Sequence, residues 1–361
     1  TLRMTNYIIA VVFFVCYTYQ FLYIPVPWLL AKRKAAKAAA LEATPHNYAV
    51  LICARNESAV IADLIGSLRS QTYDQSLLHI FVLADNCTDD TSDIARSAGA
   101  TVYERFNNVQ VGKGYALDYG FSVIRSQYAD KGYEAYFVFD ADNVLDVNYF
   151  REMNKTFDAG AKASTSYRNS KNYGSNWISA GYAVWFLREA KFLNQARLTL
   201  NTSCAVSGTG FFIAADILKA AGGWKWHLLT EDIEFSVNTA IQGRTIGYCE
   251  KAVIYDEQPV TFSQSWRQRM RWAKGFYQVN AHCGIPLLRG CLRGPIRFSC
   301  YDMLMTVAPC TLLTVAAVFI NLFCCVTMLS LPSFLARFML RYVAHSLLDM
   351  LTWSYGVMFA Y

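Results

Sequence analysis

The stretch from 136 to 144 reads Tyr-Phe-Val-Phe-Asp-Ala-Asp-Asn-Val, an apolar run closing on two carboxylates one residue apart. Four apolar or aromatic residues suit a strand buried on both faces, so Asp140 and Asp142 should emerge at its carboxyl edge, where an open α/β sheet holds its ligand. Carboxylates at i and i+2 of an extended segment point the same way, which places one on a divalent cation and the other beside the group that cation neutralises. A metal-bound diphosphate fits this pattern. A strand ending in a polar turn is the plainer alternative, and the rest of the chain decides between them.

The flanking sequence repeats one kind of unit. Tyr48–Cys53 is a β-rich run, followed by Arg55-Asn56-Glu57 and an amphipathic helical pattern through Val60, Ile61, Leu64, Ile65 and Leu68. A strand at His79–Leu83, a turn at Asp85, and a helix opened by Thr88 with Asp89 and Asp90 in its first turn come next. Ala100–Tyr103, the loop Gly112-Lys113-Gly114 and a helix from Tyr115 to about Gln127 lead to the strand carrying Asp140. Strands and helices alternating at this spacing call for a mostly parallel sheet with right-handed crossovers, a nucleotide-binding type of domain.

Beyond it, Ala163–Tyr167 reads as an edge or mixed strand and Trp177–Leu200 as a helix, packed within the domain or lying on a membrane surface. Gly208 and Gly210 permit close backbone approach to a ligand. Thr230-Glu231-Asp232 opens a helix, and Gly247–Tyr255 is a further strand. Gln264–Val279 has helical periodicity and is dense in cations and aromatics; Gln268, Arg271 and Trp272, at i, i+3 and i+4, share one face.

Apolar runs bracket this domain. Asn6–Leu30 is long enough to cross a bilayer, which takes about 20 residues. Lys32, Arg33, Lys34 and Lys37 follow it at once, which puts residue 31 onward on the cytoplasmic side. Pro286–Arg297 reads as a basic interfacial turn region, Met303–Leu331 as a second span, and Tyr342–Tyr361, with Asp349 inside it, as a third. The organisation expected is therefore a spanning helix at 1–30, a basic linker at 31–47, a cytoplasmic catalytic domain at 48–280, an interfacial segment at 281–302 and two spanning helices at 303–361. Beginning at Thr1 and stopping inside an apolar run, the chain reads as a piece of a longer protein.

With 54% hydrophobic residues, the 361-residue chain suits a mixed membrane and soluble protein. Its net charge of +6 is concentrated beside the first apolar run and between Arg267 and Arg297, which points to membrane lipid and anionic ligands and away from nucleic acid. The eleven cysteines are scattered without paired Cys-x-x-Cys motifs, so a zinc site is not expected, and the five histidines are too dispersed to form a ligand set.

If the Asp85 turn, the Lys113 loop and the Asp140 strand end share one sheet edge, they make a single site. Asp85 suits the hydrogen bonds of a base or ribose, Lys113 counters negative charge, and Asp140 with Asp142 positions a metal diphosphate. Asp232 is suited to taking the proton of an acceptor hydroxyl, Gln268 and Arg271 to holding a leaving diphosphate, and Trp272 to stacking on a sugar ring.

In this order the motifs resemble those of the membrane-embedded, inverting family 2 glycosyltransferases, the group of cellulose, hyaluronan and chitin-type synthases. The likeness covers roughly residues 48 to 280 and is carried by Arg55-Asn56-Glu57, Asp85, Lys113, Asp140-Ala141-Asp142, Thr230-Glu231-Asp232 and Gln268-Arg269-Met270-Arg271-Trp272. The resemblance implies a GT-A type nucleotide-sugar-binding domain of the α/β class, flanked by transmembrane helices. It also implies a UDP-sugar donor and Mg²⁺ or Mn²⁺ on Asp142. Arg55, Glu57, Asp85, Lys113, Asp140, Gln268 and Arg271 would contact the donor, Asp232 would be the base, and Trp272, Glu231 and Trp224 would meet the acceptor. Thr-Glu-Asp sits closer to the cellulose-synthase side and favours UDP-glucose. The implied product is a growing polysaccharide made at the plasma membrane by a multi-pass protein, with an export accessory protein or a second copy as partner. Addition of one sugar to a lipid or polyprenyl phosphate is the main alternative, and a non-catalytic subunit of an export complex is a third.

Overall fold

The computed structural model describes residues 2–27, 29–30 and 43–328. The basic cluster at 32–37, the expected third span and Asp349 lie outside the described residues. Strand β1 (Tyr48–Ala54) sets the architecture because its side chains divide by parity. Tyr48, Val50, Ile52 and Ala54 enter one core and Ala49 and Leu51 the other, as the two-residue period of a strand buried on both faces requires.

The first core holds α2 (Ile61–Arg69), whose Ile61, Leu64, Ile65 and Leu68 follow the helical period, together with α5 (Tyr149–Asp158). The opposite core holds α4 (Lys113–Gln127) and Phe235 of α9 (Glu231–Ile241). The remaining elements on this part of the chain are β2 (Leu78–Asp85), α3 (Thr91–Ser97), β3 (Thr101–Arg105), β4 (Ala135–Asp140), β5 (Val144–Leu145), β6 (Ala163–Ser170), α6 (Trp177–Arg188), α7 (Gln195–Thr199), β7 (Phe211–Ala214), α8 (Ala215–Ala221) and β8 (Gly247–Asp256). Helix α3 starts at Thr91 and not at Thr88, because Asp89 accepts hydrogen bonds from the backbone N–H and hydroxyl of Thr91 and closes a turn first.

The eight strands run in the order β3-β2-β1-β4-β7-β6-β8-β5. Pairing is parallel from β3 to β4 and between β6 and β8, and antiparallel at β4–β7, β7–β6 and β8–β5. The expected mostly parallel sheet is thus a mixed one. The reason is local: Gly210 donates its N–H to Val138 near the end of β4, so the chain enters β7 at the carboxyl edge and can only run back, pairing Phe212 with Phe137.

Three helices complete the described chain: α10 (Phe262–Arg293), α11 (Arg297–Val307) and α12 (Pro309–Met328). The basic stretch expected as a turn region is mostly helical: α10 continues through Pro286, with Cys283 and Leu287 buried against Cys300 and Met303 of α11. The single span expected from Met303 is divided at Ala308. Helix α1 (Leu2–Phe21) belongs to a helical stretch, Met4–Pro27, that is long and apolar enough to cross a membrane; among the described residues it is the one that meets this measure. It packs beside α12 through a reciprocal amide pair in which Asn6 and Asn321 each donate to the other at 3.0 Å, a polar contact suited to an apolar surrounding.

Along α1 and just beyond it, Tyr19 and Tyr23 tie this part of the chain to the α/β domain through a buried ionic network. Arg197 of α7 and Asp302 of α11, 2% and 0% exposed, form a two-pronged pair at 2.6 and 3.2 Å. The hydroxyls of Tyr19 and Tyr23 donate to the same carboxylate at 2.6 and 3.1 Å. Asp302 therefore joins three helices. Removing one partner of such a pair strands the other charge, at a cost of about 3–5 kcal/mol. Asp302→Ala is expected to lower the unfolding free energy by that amount in denaturant titrations in detergent, whereas Arg197→Met with Asp302→Leu recovers most of it. A loss under about 1 kcal/mol for Asp302→Ala would show that the network does not support the junction.

Candidate active site

The strand register brings the expected residues to one edge. Asp140 pairs with Cys53, Cys53 with Leu83, and Asp85 lies two residues further along β2, so both acids stand at the carboxyl ends of parallel strands. Lys113, in the first turn of α4, forms an ion pair with Asp140 and donates to the carbonyl of Gly208 at 2.7 Å. A cavity of 530 Å³ opens at this edge and is lined by Glu57, Lys113, Asp140, Asp142, Glu231, Asp232, Gln268, Arg271 and Trp272. Nine of the twelve residues expected at the site thus share one chamber.

Its centre is bare backbone. Gly208 has φ +77°, and the position a Cβ would occupy there lies 3.8 Å from each of Asp140 Oδ2, Asp232 Oδ2 and Arg168 Nη1. Asp232 also takes hydrogen bonds from the backbone N–H groups of Gly208 and Ile233; burial pushes its carboxyl above the ordinary range against these bonds and the field of Lys113. Beside it the buried Glu231 is pushed up to about 8, by burial first and Asp232 second. Asp142 is pushed up to about 8 by burial and by Asp256 and Asp140, with Arg168 working in the other direction. Glu57 is raised by burial, Asp140 and Asp89.

Asp256 and Arg168 were not anticipated. Arg168 forms a two-pronged ion pair with Asp256, which also accepts from Gln258 at 2.8 Å and Asn143 at 2.9 Å. The guanidinium lies 3.9 Å over the Phe186 ring and donates to the carbonyl of Ser207 at 2.8 Å. Nothing local in β6 or β8 marks the pair, whose members are 88 residues apart. On the far wall, Trp272 packs edge-on against Tyr182, with ring centres 5.9 Å apart. Gln268 Oε1 and Thr230 Oγ1 are buried without a hydrogen-bond partner, so both are placed to meet a ligand.

Three expected residues stand elsewhere. Trp224 is fully buried between Phe121 and Phe235 and donates to the carbonyl of Trp226 at 2.6 Å; its expected place at the acceptor is corrected to a core role. Arg55 is exposed and outside the cavity lining. Asp85 is also outside the lining and is held by Arg105 at 2.6 Å, a partner that comes from the neighbouring strand β3.

Whether the chamber suits a divalent cation follows from its acids. Among the described residues no three His, Cys, Asp or Glu side chains are arranged to hold a metal by themselves. Asp142, however, makes no ion pair with a basic residue among the described residues, and its carboxyl resists ionisation through burial and two neighbouring carboxylates. That is the condition of a one- or two-carboxylate site completed by phosphate oxygens, and it fits Mg²⁺ or Mn²⁺.

A family model described as glycosyltransferase like family 2 matches residues 45–275. Similar proteins include the beta-monoglucosyldiacylglycerol synthase of Synechocystis sp., 26% identical over 230 residues, with 63% of this chain and 47% of that protein covered. Another is the poly-beta-1,6-N-acetyl-D-glucosamine synthase of Staphylococcus epidermidis, 25% identical over 236 residues, with 63% and 54% covered. The chain spans about half the length of these relatives. The fold is similar to that of the mannosyltransferase PcManGT from Pyrobaculum calidifontis, solved with GDP-Man and Mn²⁺, at a TM-score of 0.61 and 16% identity over 99% of this chain and 96% of the other. Carrying a family match over most of its length on a GT-A fold with a mixed sheet, the chain belongs to the family 2 glycosyltransferases.

Proposed function

We propose that this chain is the catalytic region of an inverting β-glycosyltransferase that uses a UDP-sugar, UDP-glucose first among them, to extend a polysaccharide at the cytoplasmic face of a membrane. The observation that carries the reading is the convergence of Asp140 and Asp232 over the bare backbone of Gly208. It leaves room for a sugar between a donor-side and an acceptor-side carboxylate.

Asp232 takes the proton of the acceptor hydroxyl as that oxygen bonds to the anomeric carbon. The bond from that carbon to the diphosphate breaks on the opposite face, UDP leaves with the electron pair, and an α-linked donor gives a β-linked product. Lys113 and Arg271 supply positive charge on the leaving-group side; Arg271 has no ion-pair partner among the described residues. Mg²⁺ or Mn²⁺ held by Asp142 would neutralise the diphosphate when bound. Gln268 meets the diphosphate and Trp272 the terminal acceptor sugar. Helix α1 is read as the membrane crossing on its length and apolar composition, and Tyr17 and Gln20 on it also line the cavity.

The lining also favours a second reading, addition of one sugar to a lipid, because Leu193, Phe276 and Met305 are apolar parts of it. Release of UDP from a panel of UDP-sugars by detergent- or nanodisc-held protein with Mn²⁺, followed by sizing of the product, separates the two. Long polymer that becomes short in Trp272→Ala supports the synthase, and a single sugar on an added lipid overturns it. Asp232→Asn is expected to lower turnover about 10²–10⁴-fold, and undiminished turnover would remove Asp232 from the base role.

The raised carboxyls also give the protein opposed pH dependences. A carboxyl whose folded pKa is raised is more easily ionised in the unfolded chain. Glu231 therefore contributes stability in full below its ordinary 4.5, and the contribution is lost as pH rises through about 8. Asp232 must ionise to act, and burial raises its carboxyl, so activity rises with pH. Between about pH 4.5 and pH 8 the thermal midpoint of the ligand-free protein should fall, Glu231→Gln should flatten that slope, and turnover should rise with pH. A midpoint that rises with pH would contradict the assignment.

A further inference from the structure

The helical segment after α6 is interrupted by a π turn, Glu189–Asn194, before α7 resumes. Such wide turns occur largely where a side chain is needed in a position that regular helix does not offer. Here the turn opens with Glu189, which lines the cavity. One carboxylate oxygen, Oε2, accepts from the Ser207 hydroxyl at 3.2 Å, and Arg168 grips the carbonyl of the same serine. Its other oxygen, Oε1, has no hydrogen-bond donor among the described residues.

Its position relative to Trp272 gives this open acceptor a meaning. Tyr182, which packs against Trp272, lies seven residues before Glu189, hence on the same helix face and roughly 10 Å along the axis at 1.5 Å per residue. An aromatic face and a carboxylate in the lining of one chamber suit a sugar, whose ring has an apolar face and hydroxyls on its edge. A bare lipid alcohol offers one hydroxyl and no such edge.

We propose that Glu189 binds the hydroxyls of a sugar at the end of the acceptor, making the accepted substrate a sugar-terminated chain. The proposal rests on the reading of Asp232 as base and of the Trp272 side as the acceptor side. It assigns Glu189 to substrate recognition and leaves the bond-forming step to Asp232.

The test titrates detergent-held protein, with Mn²⁺ and the UDP-sugar that gives turnover, with three acceptor probes: β-linked glucose oligosaccharides, β-linked N-acetylglucosamine oligosaccharides and diacylglycerol. One oligosaccharide series is expected to stimulate UDP release. Glu189→Gln should then raise the acceptor KM about tenfold or more, by a clearly larger factor than the donor KM, and Glu189→Asp should restore part of the loss. An unchanged acceptor KM overturns the assignment of Glu189 and leaves the Asp232 reading intact, as does a rise in donor KM of equal size, which marks a structural role. If Glu189→Gln does not fold, Glu189→Asp with an unchanged acceptor KM overturns it equally. Stimulation by diacylglycerol alone overturns the sugar-terminated substrate class, and no stimulation by any probe overturns the underlying reading along with it.

Discussion

The site depends on how one dipeptide, Ser207-Gly208, is held. Lys113 takes the carbonyl of Gly208, Asp232 its N–H, Arg168 the carbonyl of Ser207 and Glu189 its hydroxyl. Those four side chains come from four separate parts of the chain, and each carries a charge that would be costly to bury without a partner. Backbone dipoles and the two ion pairs to Asp140 and Asp256 offset that cost. A left-handed glycine at the centre keeps the space above open, so the acids line a chamber and do not fill it.

The same loop explains the sheet. By delivering β7 at the carboxyl edge it converts a parallel half, suited to a nucleotide, into a mixed sheet whose second half brings Arg168 and Asp256 to the chamber. Helices α10 and α11 then close the cavity, and the Arg197–Asp302 pair with Tyr19 and Tyr23 ties that closure to α1. Gly275 lets α10 approach closely enough for Thr230 to occupy the space a side chain would take, which holds the Gln268–Trp272 face against the start of α9.

Much of this was legible in the residues, because it is local. An apolar run ending in Asp140 and Asp142, a lysine in the loop just before a helix, Glu231 and Asp232 at a helix start, and a Gln268, Arg271 and Trp272 stripe each state their own position within a few residues. The two cores follow from parity in β1 and helical period in α2 in the same way. What was not legible depends on partners far apart in the chain. Arg105 occupies Asp85 from the next strand, Arg168 meets Asp256 across two strands, and Arg197 meets Asp302 at a distance of 105 residues. Trp224 resembles an acceptor platform in sequence, but only packing reveals that its ring and its N–H are both satisfied inside. Glu189 was hidden because nothing in the sequence marks the π turn that begins at it.

The central claim is that the chamber holds a metal diphosphate between Asp142 and the cations that face it. Calorimetric titration of UDP into the protein, with Mn²⁺ and with a chelator, for wild type and Asp142→Asn, tests it most directly. The account predicts Mn²⁺-dependent binding that weakens by about tenfold or more in Asp142→Asn. UDP affinity that is the same with and without Mn²⁺, and unaltered by Asp142→Asn, would contradict it.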